Sequence, residues 1–280
     1  NIGKGVFDLE PLTDGETVVL ELSSYQTEVA NSLTPDIAVF TNFTPDHLER
    51  HGGIGGYYAA KKRLFISGCP DRSVIGVDEF EGKFLAQELA DHLHDDRVIR
   101  VSASRKITNL GWTVFANKGF LSEYRRGKQL ASLDLRKCKA LQGAHNHQNV
   151  CAAYAAVRIL GIGPRAVEKA LQSFTGLAHR LQLVTELSGV VFINDSKATN
   201  VDSAMKALET FAKVRWICGG EQKEEDISRL NNVLTNVEKA YVIGTDAAKF
   251  SSQISCEFEI CNTMDVAVKK AFKDAKDGET

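Results

Sequence analysis

Between residues 190 and 275, short apolar runs alternate with segments of helical periodicity, and that alternation constrains the fold more than any other feature of the chain. Residues 190–193, 214–218, 239–243 and 257–260 read as strands, and 201–211, 226–237, 247–254 and 265–275 as helices. Adjacent parallel strands need a crossover of about a dozen residues or more, usually a helix. The pattern therefore predicts a mostly parallel sheet covered by helices, a Rossmann-like domain.

The preceding part is less regular but also α/β. Residues 17–22 (TVVLEL), after the Asp14-Gly15 turn signal, predict a buried strand, and 36–41 (DIAVFT) a second. Further strands are expected at 73–77, 97–103, 111–116 and 120–124, and helices at 57–66, 84–92, 149–160 and 165–174, the last opened by Pro164. With 280 residues and roughly 100–200 per domain, two domains are expected, 1–177 and 178–280.

Composition removes whole classes of function. The 34 basic and 36 acidic side chains balance to a net charge of −2, which gives no support for a nucleic-acid binder. No apolar run approaches the ~20 residues of a membrane helix. The six cysteines, at 69, 138, 151, 218, 256 and 261, form no CxxC, and the pair Cys256 and Cys261 has no histidine nearby. They are expected to be buried, reduced thiols of a cytoplasmic protein rather than a zinc site. Asn1 is not an initiator Met, and 273–280 reads as a helix running into a turn, so both ends are expected to be cuts through a longer protein.

In open α/β sheets ligands bind beyond the carboxyl ends of the strands. That rule selects Glu21-Leu22-Ser23-Ser24, Asn42 to His47, Asn194 to Asn200, and Gly219 to Lys223. Glu21 closes an apolar run, where a buried carboxylate needs a cation or donors; a salt bridge or an exposed strand end reads equally well. Glu21 and His47 on adjacent strand ends suit a hard divalent ion beside phosphate oxygens. In 194–200 (NDSKATN), helix capping by Asp195, Ser196 or Thr199 explains much, but not Lys197, whose charge opposes the helix dipole unless an anion binds there. Lys223 is a second cation after the Gly219-Gly220 turn, which either admits a close backbone approach or is an ordinary turn. Asn146 and Asn149, just before the Ala-rich helix, either cap it or present two amides to a planar ligand. The chain contains no G-x-x-x-x-G-K-[ST] phosphate loop.

The segments ELSSYQTE (21–28), NFTPDHLERH (42–51), YYAAKKRLF (57–65), GAHNHQN (143–149), FTGLAHR (174–180) and INDSKATN (193–200), in this order after Asn1-Ile2-Gly3, resemble the Mur ligases of peptidoglycan synthesis over essentially the whole chain. The last string resembles the branch that adds D-glutamate. The resemblance implies a central ATPase-type domain, an incomplete version of the P-loop NTPase sheet, followed by the Rossmann-like domain. It implies cytoplasmic, ATP-dependent ligation of UDP-N-acetylmuramoyl-L-alanine to D-glutamate through an acyl phosphate, in cell-wall formation and hence cell shape and division. A monomer, with no nucleic acid or membrane partner, is expected.

Carried over by position, Glu21 and His47 would hold magnesium, and Lys61 would be a carbamylated lysine binding a second ion, although beside Lys62 it also reads as an exposed helix cation. Asn146 and Asn149 would lie near adenine, Arg180 and Asp195 on the nucleotide, and Lys197 at the transferring phosphoryl group. Thr199 and Lys223 would bind D-glutamate, and Asn1 and Ser23 would lie beside the muramoyl substrate. A hinge near residue 177 would close the site. The family's phosphate loop and uridine-binding domain are expected before Asn1, and a last strand and serine-containing loop after Thr280, so this piece by itself is expected to be inactive. Gln182 stands where the family usually has Glu. Another Mur ligase, a folylpolyglutamate synthetase-like ligase or a non-catalytic nucleotide-sugar binder are the alternatives.

Overall fold

The computed structural model describes residues 5, 8–11, 13–44, 48–93, 95–222 and 225–280. They form two compact units, Asn1–Asp134 with Gln148–Glu168, and Leu135–His147 with Lys169–Thr280.

The first unit is built on a six-stranded sheet in sequential order, β1 (Ile37–Phe40), β2 (Arg72–Gly76), β3 (Val98–Ser102), β4 (Trp112–Asn117), β5 (Phe120–Arg125) and β6 (Lys128–Asp134). β1 to β4 are parallel, and β4, β5 and β6 antiparallel. β2, β3 and β4 are buried along almost their whole length because both faces are covered. Val74, Ile75, Ile99 and Val114 are wholly buried, and Leu85 and Leu89 seal one face from α4 (Phe80–Leu93). Two X-Gly pairs set the antiparallel registers. Lys118-Gly119 and Arg126-Gly127 take left-handed φ at both positions (50° and 80°, 49° and 78°), as two-residue type I′ hairpins require.

The predicted strand at 17–22 does not form: those residues have no regular secondary structure and are largely exposed, Val19 to 91%. β1 pairs with β2, and among the described residues no strand offers 17–22 a ladder, without which a β-prone run has neither hydrogen bonds nor a face to bury. Beyond it stand α1 (Ser24–Val29), α2 (Leu48–His51) and α3 (Ile54–Ile66). α1 begins with a capping box: the Gln26 N–H donates to Ser23 Oγ at 3.4 Å, and the Ser23 N–H to Gln26 Oε1 at 2.9 Å. α5 (Ala144–Ile159) starts five residues earlier than expected, so all of GAHNHQN after Gly143 lies in its first two turns and is not its approach. α6 (Pro164–Ser173) follows.

The second unit contains a hairpin, β7 (Gln182–Leu187) and β8 (Val190–Asn194), turned by Ser188-Gly189 (φ 53° and 73°). It also contains a parallel sheet of β9 (Val214–Gly219), β10 (Val237–Ile243) and β11 (Phe258–Asn262) in the order β11-β10-β9. α7 (Val201–Thr210), α8 (Ala247–Ser251) and α9 (Met264–Asp274) are the crossover and flanking helices. The helix expected over 226–237 is instead two short 3-10 turns, Ser228–Asn232 and Leu234–Asn236, with β10 starting at Val237. Buried Ile227, Leu230, Val233, Leu234 and Val237 recur at three- and four-residue spacing, which a 3-10 turn satisfies as well as an α-helix. The last residues join the two sheets: Val191 N–H donates to Glu279, Arg215 N–H to Thr280, and Thr280 N–H to Lys213.

Gly219 and Gly220 have φ of 114° and 113°, and a Cβ on Gly219 would lie 2.2 Å from the Ile243 carbonyl. One on Gly244 would lie 2.5 Å from Gly220 Cα. The close backbone approach at this turn is to the protein's own chain.

All six cysteines are free thiols; Cys138, Cys151 and Cys261 are buried as expected, Cys218 and Cys256 half-buried, and Cys69, in the connection between α3 and β2, is exposed. Among the described residues no helix is long and apolar enough to cross a membrane.

Candidate functional site

Asn1, His47 and Lys223 lie outside the described residues. The other candidates fall in both units.

In the first unit Glu21 lies near the end of the irregular 17–22 segment and is exposed, so the argument from a buried carboxylate fails there. An exposed carboxylate remains a donor of the hard oxygen type that magnesium takes. Ser23, two residues on, is the N-cap of α1. Lys61 lies in α3 with its ammonium 5.0 Å from the centroid of the Tyr57 ring. A protonated amine offers no lone pair to a metal, so Lys61 joins such a site only as its carbamate. Its neighbour Lys62 instead pairs with Glu88 at 2.5 Å. Among the described residues no three His, Cys, Asp or Glu side chains cluster as a metal site.

Three buried aromatic contacts support this corner. Phe43 meets Tyr57 at 5.2 Å and Tyr58 at 5.5 Å, and His51 meets Tyr57 at 5.5 Å. The Phe43 N–H donates to Glu79 Oε2 at 2.7 Å, tying the end of β1 to the residues after β2. A cavity of about 300 Å³ opens beside His51, Arg50, Glu28 and the α3 residues Gly56, Ala59 and Arg63.

Sequence reasoning missed Asp78, two residues beyond β2. Its carboxylate accepts from the Ser102 and Ser104 hydroxyls, from the Ala103 and Ser104 N–H groups, and from Gln148 Nε2 at 2.9 Å. Burial opposes its ionisation, and the hydrogen bonds from Ser102, Ser104 and Ala103 overcome it, holding the carboxyl below its ordinary range. A carboxylate directly after an apolar strand was the available signal. Through Gln148 it anchors α5, which carries Asn146 and Asn149 three positions apart. Asn149 is exposed; the Asn146 amide donates to the Gln142 carbonyl at 2.8 Å. Burial holds the His145 and His147 imidazoles below their usual pKa.

In the second unit the structure gathers Arg180, Asp195 and Lys197. The 194–200 turn follows β8, and Asn200 caps α7 by accepting from the Ser203 N–H at 2.8 Å. The turn is stitched to 179–181, where His179 and Leu181 take left-handed φ of 65° and 41°. Lys197 N–H donates to the His179 carbonyl at 3.0 Å, Leu181 N–H to Asp195 Oδ1 at 2.9 Å, and Asn194 Nδ2 lies 3.0 Å from His179 Nδ1. Burial raises the Asp195 carboxyl above its ordinary pKa, against the opposing pull of the Leu181 N–H and the Arg180 charge. These bonds consume backbone groups and leave the Lys197, Thr199 and Arg180 side chains exposed. Gln182 accepts from the His179 N–H at 2.9 Å through its amide oxygen, a bond that a carboxylate in the same place would also make.

Residues 7–157 match the family described as Mur ligase middle domain, and residues 179–280 the family described as Mur ligase, glutamate ligase domain. The chain is 61% identical over 280 residues to a UDP-N-acetylmuramoylalanine--D-glutamate ligase of Ruegeria pomeroyi and 54% identical over 281 to one of Jannaschia sp.. It is covered completely in both cases, yet spans 60% and 61% of the relatives' length. Among solved structures it resembles MurF from Acinetobacter baumannii, with a TM-score of 0.62 and 18% identity, over 89% of this chain and 55% of that one. It also resembles a bifunctional folylpolyglutamate synthase/dihydrofolate synthase of Yersinia pestis, with a TM-score of 0.61 and 18% identity, over 91% and 58%. At that identity the likeness to solved structures speaks for the fold alone.

Proposed function

The chain belongs to the Mur ligase family, and from that premise we propose that the protein containing it adds D-glutamate to UDP-N-acetylmuramoyl-L-alanine with ATP, in peptidoglycan precursor synthesis. One observation carries this reading: 54–61% identity along the whole chain to relatives bearing that name. The protein is read as cytoplasmic, in keeping with its six free thiols.

A free carboxylate is a poor acyl donor. Its oxygen attacks the γ-phosphorus of ATP and ADP leaves; the D-glutamate amine then attacks the acyl carbon, phosphate departs, and the amine loses its proton. Most of the catalytic demand is to hold the groups in line and neutralise phosphoryl charge. Lys197, exposed on a turn held by its own backbone hydrogen bonds, supplies a cation to the phosphoryl group. Arg180 and Asp195 hold the nucleotide, Asn146 and Asn149 its base, Thr199 and Lys223 the incoming amino acid, and Asn1 and Ser23 the muramoyl substrate. Glu21 and His47 are the residues that would hold magnesium, with carbamylated Lys61 for a second ion; the metal supplies further charge neutralisation at the phosphates.

The test is phosphate release by the full-length polypeptide that contains this chain. Release should require ATP, UDP-N-acetylmuramoyl-L-alanine and D-glutamate together, and L-glutamate should not substitute. Turnover with L-glutamate on a folate acceptor, or indifference to D-glutamate, would replace this reading with another member of the superfamily. The 280-residue chain by itself should show no turnover.

A further inference from the structure

Apart from Lys61 on the thirteen-residue α3, the candidate metal and substrate residues of the first unit adjoin very short helices. α1 has six residues and α2 four, lengths that do not hold a helix in place without tertiary support. Glu21 and Ser23 lead into α1, and α2 begins at Leu48, the residue after His47 in the chain.

His51, the last residue of α2, touches each of the neighbouring helices. Its side chain is 2% exposed. Nε2 lies 3.0 Å from Ser24 Oγ, the first residue of α1, which is itself buried. The ring meets Tyr25 of α1 edge-on at 5.6 Å and Tyr57 of α3 at 5.5 Å, and the Lys61 ammonium lies 5.0 Å from the centroid of the same Tyr57 ring. Nδ1 is 3.9 Å from Glu28 Oε2, an oxygen already paired with Arg50 at 3.0 Å. A buried imidazole is costly where an apolar ring of similar size would pack as well, so the polar bond to Ser24 is the chemical reason for histidine here.

We infer that His51 is a positioning residue: through Ser24 and Tyr57 it fixes the segments carrying Glu21, Ser23 and Lys61 relative to one another. The inference rests on the ligase reading for what those residues do. A displacement of about 1 Å among such groups is enough to cost on the order of a hundredfold in rate.

The test uses the full-length protein and the variants Ser24→Ala, His51→Phe and the double variant. Mn²⁺ affinity is measured by electron paramagnetic resonance, alongside kcat, the KM for D-glutamate and thermal unfolding. Ser24→Ala and His51→Phe should each lower kcat and weaken Mn²⁺ binding about tenfold, the usual effect of losing a group that orients metal ligands, with KM for D-glutamate unchanged. The double variant should lose no more than either single one, since both remove the same bond. Unchanged Mn²⁺ affinity in Ser24→Ala, or losses that multiply in the double variant, would overturn the inference. If His51→Phe does not fold, Ser24→Ala removes the bond by deleting one oxygen and decides alone. A wild-type protein without D-glutamate-dependent turnover would defeat the ligase reading, whereas the Mn²⁺ titration would still decide the role of His51.

Discussion

Tyr154 of α5 donates its hydroxyl hydrogen to the Glu123 carboxylate of β5 at 2.6 Å, within the core of the first unit. The same oxygen accepts from Arg158 Nε at 3.0 Å, and the other from the Trp112 indole at 3.1 Å. Glu123 is 1% exposed, and burial together with its hydrogen bond to Glu123 pushes the Tyr154 phenol up. Breaking a buried pair leaves the partner charge uncompensated, so Glu123→Ala should cost about 3–5 kcal/mol, against about 1 kcal/mol for Tyr154→Phe. Urea unfolding followed by Trp112 fluorescence reads both; comparable losses for the two would contradict this account.

Asp195 titrates in the opposite sense from a salt-bridged acid. Its folded pKa is raised by burial, so its contribution is fully present below the ordinary carboxylate value and is lost as pH rises through the raised one. Asp195→Asn keeps an oxygen for the Leu181 N–H and escapes that penalty. Its melting temperature relative to wild type should therefore improve from pH 4 to pH 7, while its ATP affinity falls. A constant difference in melting temperature would refute the linkage.

Glu279 behaves the other way. The Arg215 guanidinium donates to it at 2.7 Å and holds its carboxyl below the usual range, at a site where it is 3% exposed. Its stabilisation is present above the ordinary glutamate value and is lost as pH falls through the depressed one. Glu279→Gln should lower the melting temperature at pH 7, by an amount that shrinks on acidification below pH ~4.

Lys61 and Lys62 are adjacent in α3, yet their neighbours differ. Lys61→Met should abolish D-glutamate ligation in the full-length protein. Lys62→Met, which loses the part-buried pair with Glu88, should keep most of the activity and cost about 1–3 kcal/mol. Equal kinetic damage from the two would remove the case for Lys61.

For Lys197→Ala, ligation should fall by two or more orders of magnitude, about the effect of removing one group that stabilises developing charge. Calorimetric affinity for the uridine-linked substrate should hardly change. A protein that binds without catalysing would show no turnover to lose.

The sequence was most legible where local chemistry and tertiary environment agree. The buried parallel strands announce themselves as largely apolar runs; the three X-Gly hairpin turns at Lys118-Gly119, Arg126-Gly127 and Ser188-Gly189 were not read, nor were the strands β6 and β7 beside them. Residues 17–22 misled because β-propensity describes a residue's fit to a sheet and cannot supply the partner strand. Residues 226–237 misled because 3-10 and α turns share apolar spacing. The capping box at Ser23 and Gln26 was available as a motif and was overlooked. In the site, the turn 194–200 was found from its density of polar residues. Asp78 and His51 were not, since their partners lie 24 to 70 positions away for Asp78 and 27 for His51, a proximity that only folding creates.

The nested glycines at the ends of β9 and β10 limit what mutation can explore. Randomising the codons for 219, 220 and 244 and selecting for growth should return glycine at 219 and 244 almost without exception, because any methyl there would occupy another residue's backbone. Position 220, open to solvent but left-handed, should admit an occasional asparagine. A drifting gene can thus redraw the surface of this corner while the tight turn at Gly219 and Gly244 stays fixed.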